Sequence, residues 1–142
     1  MKKIISLIAG CLLTSSIYAS ECGEIKITGV IDGDTLRAEM PALPDQLKKV
    51  SIRIMGIDTP EIHGKCENEK NRANEAKNFL IKKFNETKNI SYRWLEWDKY
   101  GGRILAEVFF DGKDVGQMMI DTGYAVPYHG ENKQQIWCSI TK

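Results

Sequence analysis

Histidine occurs only twice in the 142 residues, at His63 and His129, so a metal centre built on three or more imidazoles is excluded. Net charge is nearly absent as well: 20 Lys and Arg stand against 19 Asp and Glu, a formal +1. A globally basic surface is therefore missing, and a polyanionic partner would have to be held by local clusters or by a bound cation rather than by a long-range field. No linker, repeat or low-complexity stretch divides the chain, which leaves one domain with one core. The N-terminal apolar run, residues 4–17, falls short of the roughly 20 residues that span a bilayer. It follows Lys2 and Lys3, leads into Tyr18-Ala19-Ser20, and has no acidic residue before Glu21, which is the layout of a secretory signal peptide.

Cleavage after Ala19 or Ser20 is expected, with residues 1–20 removed and 21–142 forming the exported domain, periplasmic or extracellular and without stable membrane association. Leu7-Ile8-Ala9-Gly10-Cys11 also reads as a lipoprotein cleavage box, but Leu12 and Leu13 carry the apolar run past Cys11, which suits a plain signal better. Losing Lys2 and Lys3 takes the basic residues from 20 to 18 against 19 acidic ones, a formal charge of about −1. Cys22, Cys66 and Cys138 remain. In an exported protein, three cysteines imply one disulfide and a spare thiol. Cys66 and Cys138 are the expected pair, because Cys22 sits among the last residues before the first strand, where an end is easily left loose. A zinc site from His63, Cys66, His129 and Cys138 is the alternative, though the spacing fits neither common zinc pattern well.

Ile25, Ile27 and Ile31 alternate with polar residues, as do Leu36, Ala38 and Met40, and Asp32-Gly33-Asp34 turns between them as a hairpin. Val50, Ile52 and Ile54 continue the alternation in a third strand. From 69 to 84 the rhythm changes to three- and four-residue steps at Ala73, Ala76, Leu80 and Phe84, an amphipathic helix. Residues 90–97 and 103–110 return to alternation as strands four and five, turned by the segment from Asp98 to Gly102. Asp114 caps a short helix through Met118 and Ile120 that stops at Gly123, and the tail from Pro127 reads as loop. Tyr92 and Trp94 share a face of strand four, where core packing is a better reading than a base-stacking platform. Five short strands with a helix after the third and a short one after the fifth match the five-stranded Greek-key barrel called the OB-fold, an α+β barrel with helices, while pattern alone leaves other small α+β folds open.

Three segments gather functional residue types at strand ends: Ile31-Asp32-Gly33-Asp34-Thr35, the stretch from Arg53 through Asp58-Thr59-Pro60-Glu61, and Asp98-Lys99-Tyr100-Gly101-Gly102-Arg103. Asp34, Asp58 and Glu61 are hard oxygen donors of the kind that hold Ca²⁺ or Mg²⁺, with no histidine among them to favour zinc or copper. Arg53 and Arg103 offer planar, permanently charged forks suited to phosphate oxygens. Two arginines, several carboxylates and no nucleophilic Ser or Cys point to hydrolysis by activated water rather than through a covalent intermediate. Taken singly, each segment reads as well as an ordinary turn or helix start. Together, in this order, they are poorly explained as turns.

These three segments resemble the staphylococcal nuclease family, over residues from about 29 to 128. The resemblance implies an OB-fold, Ca²⁺-dependent phosphodiesterase that acts on DNA and RNA and releases 3′-phosphates. It implies that Asp34 and Asp58 bind the metal with the backbone carbonyl of Thr59, and that Glu61 is the general base or positions the attacking water. Arg53 and Arg103 would hold the phosphate, and Lys99 and Tyr100 would contact the terminal phosphate of a bound nucleotide. Tyr128, with His129 beside it, stands where the family's nucleotide-flanking tyrosines would be sought. The chain departs from the pattern in carrying two glycines before Arg103 and in lacking the long C-terminal helix, for which a Cys66–Cys138 bridge would substitute. Mg²⁺ fits the same donor types as Ca²⁺. A monomer is expected, and base-specific reading is not, since the contacts go to phosphates. The competing reading, an OB-fold that binds nucleic acid without cutting it, would be expected to lose a metal carboxylate or an arginine, and none of the five is missing.

Overall fold

A computed structural model describes residues 25–99, 101–131 and 136–140. Residues 1–20, expected to be a signal peptide, and Cys22 and Tyr100 lie outside the described residues. The alternation of the first half builds a three-stranded antiparallel meander of β1 (Lys26–Val30), β2 (Thr35–Glu39) and β3 (Lys49–Ile54). Leu36, Ala38, Ile52 and Ile54 all turn inward and are buried, with Leu36 directly opposite Ile52. After β3 the chain turns at Gly56, whose φ of +81° is cheap only for glycine, and enters the two-residue β4 (Ile57–Asp58).

Helix α1 (Glu67–Glu86) then crosses over and delivers the hairpin of β5 (Ile90–Trp97) and β6 (Arg103–Phe110). β6 lies parallel to β3, giving the strand order β1-β2-β3-β6-β5, with β7 (Lys113–Asp114) folding back on β6. The short α2 (Val115–Asp121) follows, and β8 (Val126–Pro127) returns to pair with β4. The inner faces of β2, β3 and β6 meet Leu80 of α1 and Met119 of α2 in a single core.

The five longer strands and both helices fall where the residue periods place them. β4, β7 and β8 are two residues each, too short for any period to show, so Pro127 belongs to a strand rather than to the loop expected of it. Proline is tolerated there because β8 is an edge whose other side needs no ladder hydrogen bond. The sheet is a curled half-barrel, compatible with an OB-fold-like domain: among the described residues β1 and β5 do not pair. That side carries a side-chain link instead, the Ile25 N–H donating to the Tyr92 hydroxyl at 3.2 Å. Tyr92 and Trp94 lie partly buried against the core. A bulge after Trp94 then breaks the alternation and returns Trp97 to the face of Trp94, opposite Ile104, where it stays half-exposed with its ring edge-on to Trp94 at 5.1 Å. No helix among the described residues is long and apolar enough to cross a membrane.

Cys66 is the N-cap of α1 and is disulfide-bonded to Cys138, with Cα atoms 6.0 Å apart across 72 residues of sequence. The bond ties down a tail that its sequence marks as loop but whose Trp137 is only 4 % exposed. Asn68 Nδ2 reinforces the tie, donating to the carbonyls of Trp137 and Ile140 at 2.8 and 3.0 Å. Closing so long a loop removes conformational entropy from the unfolded chain, so reduction is expected to cost about 4 kcal/mol on the chain-entropy scale. Urea unfolding with and without reductant measures this. A loss below about 1 kcal/mol would place the tail's stability in Trp137 and Asn68 rather than in the bond.

Candidate active site

Of the residues singled out in the sequence, Asp34, Arg53, Glu61, Arg103, Tyr128 and His129 line one open cleft of about 550 Å³, while Asp58 and Thr59 are buried and do not line it. Its floor begins at the β1–β2 turn. The Asp34 N–H donates to the Asp32 carboxylate at 3.1 Å, an Asx turn that aims the Asp34 side chain inward. Asp34 is 7 % exposed, and both of its oxygens are engaged. Oδ1 accepts from Thr35 Oγ1 at 3.0 Å; Oδ2 accepts from Thr59 Oγ1 at 2.8 Å and Thr59 N at 3.2 Å, and also pairs with Arg53.

Arg53 extends from β3 on the face opposite Ile52 and Ile54. Its Nη1 pairs with Asp34, and its Nη2 donates to the Ile57 carbonyl at 3.1 Å and stands 3.7 Å from Asp58 Oδ1. One guanidinium thus stands against two carboxylates, Asp58 being only 5 % exposed. The compensation is incomplete at Asp34. Burial pushes its carboxyl up from 3.8 to about 6, and the Asp32 carboxylate adds to the rise, while Arg53 and the Thr59 hydrogen bond oppose it.

Arg103 opens β6. Ser51 lies across from Arg103 and Arg53 from Leu105 in the parallel β3–β6 register, so the two arginines share a face on neighbouring strands, offset by two residues. Adjacent strands are about 4.8 Å apart and two residues advance about 6.7 Å, which puts two cationic forks within reach of one phosphodiester. Arg103 is itself held. Its Nε and Nη2 both meet Asp98 Oδ2 at 2.5 Å, across a turn in which Gly101 and Gly102 take φ of +69° and +64°. The double glycine therefore closes a tight hairpin end and leaves Arg103 opposite Asp98. Glu61 and His129 are exposed at the cleft wall, and Tyr128 is half-buried there. Lys99 is exposed in the turn and forms no part of the wall.

Glu96, which lay in no functional segment, also lines the cleft, as do Asp32 and Asp98, which lay in the segments without a role of their own. Asp98 carried a signal: an acid and an arginine flanking a glycine turn face each other when the turn closes a hairpin. Glu96 carried none, since the bulge after Trp94 sets its direction.

Asp34, Asp58 and Glu61 do not bring three carboxylate oxygens within 4.8 Å of one another; among the described residues only Cys66, Glu69 and Cys138 approach that closely, and the disulfide occupies both sulfurs. The zinc alternative therefore has no ligand set here. Two buried carboxylates beside the Thr59 backbone, one of them held well above the usual carboxylate range, fit a hard divalent cation that fills the rest of its shell with water and phosphate oxygens.

Gly33 protects this geometry. A Cβ there would stand 3.0 Å from Thr59 Oγ1 and 3.1 Å from Thr59 Cβ and Ala76 Cβ. Ala76 is part of the helix core and cannot yield, so Gly33→Ala is expected to push Thr59 off Asp34. The cation concentration for half-maximal activity should then rise roughly 10- to 100-fold, the usual range for disturbing the partners of a metal ligand. Metal titration of activity checks this, and an unchanged midpoint would show that the Thr59 contact does not matter to binding.

Residues 51–137 match the family model described as Staphylococcal nuclease homologue. An uncharacterized endonuclease of Escherichia coli is 30% identical over 118 residues, covering 81% of this chain and 69% of that protein. A probable endonuclease of Schizosaccharomyces pombe is 38% identical over 100 residues, 66% of this chain and 42% of that protein. The chain belongs to the staphylococcal nuclease-like family.

Proposed function

We propose that the chain is an exported, metal-dependent nuclease that hydrolyses phosphodiester bonds of DNA and RNA with activated water and leaves 3′-phosphates. The observation that supports it most is the placement of Arg53 and Arg103 on one face of β3 and β6, over a cleft lined also by Glu61 and the buried Asp34, with Asp58 behind Arg53. Asp34, Asp58 and the Thr59 carbonyl would hold the cation, Ca²⁺ or Mg²⁺, which when bound supplies Lewis-acid polarisation of a phosphoryl oxygen. The two guanidinia would orient the phosphate and take up charge that grows on its oxygens in the transition state, usually the largest catalytic contribution. Glu61, at the cleft wall, would accept the proton of the attacking water or align it. Tyr128, and Lys99 with Tyr100, would contact the rest of the nucleotide.

The test is cleavage of plasmid and single-stranded DNA by the mature protein with Ca²⁺, with Mg²⁺ and with chelator, beside Glu61→Gln and Arg53→Ala. Metal-dependent degradation that both substitutions suppress supports the reading and identifies the ion. Folded protein that retards both DNAs on a gel yet leaves them intact with either ion would make it a binding module.

A further inference from the structure

Glu61 stands on a loop, and a catalytic side chain on a loop needs a brace to be held as accurately as one on a strand. Its backbone is fixed at both ends: the Glu61 N–H donates to Glu69 Oε1 at 3.4 Å, and the Glu61 carbonyl accepts from Gly64 N at 2.9 Å. Glu69 is the third residue after the Cys66 cap, a position from which a glutamate ordinarily reaches back to the amide of the cap residue itself. Here it reaches further. Oε2 accepts from the Lys65 N–H at 2.9 Å, and Oε1 goes on to Glu61.

The loop is shaped to admit this carboxylate. A Cβ on Gly64 would fall 2.4 Å from Glu69 Cδ and 2.5 Å from its Cγ and Oε2. The backbone of Gly64 has no positive φ, so space for Glu69 is what excludes a side chain there. The disulfide backs the brace from the other side: Cys66 Sγ accepts from Glu69 N at 3.4 Å, and Cys138 Sγ, which carries no proton in the disulfide, packs 3.9 Å from Oε2.

We propose that Glu69 is a positioning residue of the reaction: it extends the helix cap into the 61–66 loop and fixes where the Glu61 carboxylate meets the attacking water. This rests on the nuclease reading of the cleft. The effect is on accuracy rather than on substrate affinity, and a misplacement near 1 Å costs on the order of 10²-fold. Glu69→Gln keeps one acceptor but turns an NH₂ donor towards the second amide, so it restores only part of what Glu69→Ala loses.

The experiment measures kcat and KM on a single-stranded oligonucleotide for wild type, Glu69→Ala, Glu69→Gln, Gly64→Ala and Glu61→Gln, and for Glu69→Ala combined with Glu61→Gln. The expected result is a kcat loss of roughly 10- to 100-fold for Glu69→Ala and Gly64→Ala, an intermediate loss for Glu69→Gln, and KM within about threefold throughout. In the Glu61→Gln background Glu69→Ala should cost almost nothing more, because it acts through Glu61. Circular dichroism confirms folding, and if Glu69→Ala does not fold, Glu69→Gln replaces it in the combined variant while Gly64→Ala carries the single-site test. Full additivity, or kcat unchanged in the folded variants, overturns the brace while leaving the nuclease reading intact. A wild type that cuts nothing, or a Glu61→Gln protein as fast as wild type, overturns the reading beneath it.

Discussion

Arg53→Ala is expected to degrade single-stranded DNA at least about 10²–10³-fold more slowly than wild type, the scale of losing one preorganised donor at a developing oxyanion. The same substitution should also destabilise the metal-free protein by roughly 3–5 kcal/mol, because it strips the counter-charge from carboxylates that are nearly inaccessible to water. Arg53 is the partner of both Asp34 and Asp58. The two effects separate when a divalent cation is added. A cation held between those carboxylates replaces the lost positive charge, so the stability deficit should shrink while the catalytic deficit stays. Urea unfolding in chelator and in saturating cation, alongside the cleavage rate, measures both. Activity within threefold of wild type would remove Arg53 from the reaction, and a stability deficit that cation leaves untouched would remove the cation from Asp34 and Asp58.

Asp34→Asn carries the second large expectation, and here the sign depends on pH. In the metal-free fold the Asp34 carboxyl sits at about 6, raised from 3.8 chiefly by burial. Between those values the folded chain binds more protons than the unfolded one, so the contribution of Asp34 to stability is complete below about 4 and is lost as pH rises through about 6. The melting temperature of wild type in chelator, relative to that of Asp34→Asn, should fall across this window. A divalent cation competes with the same proton. It should therefore stabilise wild type strongly above pH 6, by about 2.7 kcal/mol at a hundred times its dissociation constant, and hardly at all near pH 4. Asp34→Asn should show little of this stabilisation at any pH. A difference curve that stays flat from about pH 5 to 6 and drops as pH falls below about 4 would place the carboxyl below its ordinary value and assign the dominant influence to Arg53 instead of burial.

Much of this architecture was legible because period and burial agree. Leu36, Ile52 and Ile54 alternate in sequence and are buried in the structure, and Ala73, Ala76 and Leu80 recur at helical steps and face the core. The placement of Arg53 on the face opposite Ile52 follows from the same alternation. What stayed hidden depends on contacts that no local period encodes. Pairing of β4 with β8 joins residues some seventy positions apart through two-residue strands. Trp137 gave no sign of burial in a tail without rhythm. Glu69, at the start of the helical rhythm, carried no signal of its own, since its role depends on the empty side of Gly64.

The parallel pairing of β3 with β6 has a kinetic consequence. Ser51 meets Arg103 only after some fifty intervening residues, including all of α1 and β5, have been gathered. Contacts of such separation form late, because the entropy of closing the loop is lost before the contacts return anything. The β1–β2–β3 meander and the β5–β6 hairpin are local and can form first, the one carrying Arg53 and the other Arg103. On the proposed nuclease reading, half of the phosphate grip would therefore reside on each folding unit, and neither unit alone would bind as the finished cleft does. On refolding, helical signal should return ahead of cleavage activity, with activity marking the moment the two strands zip together.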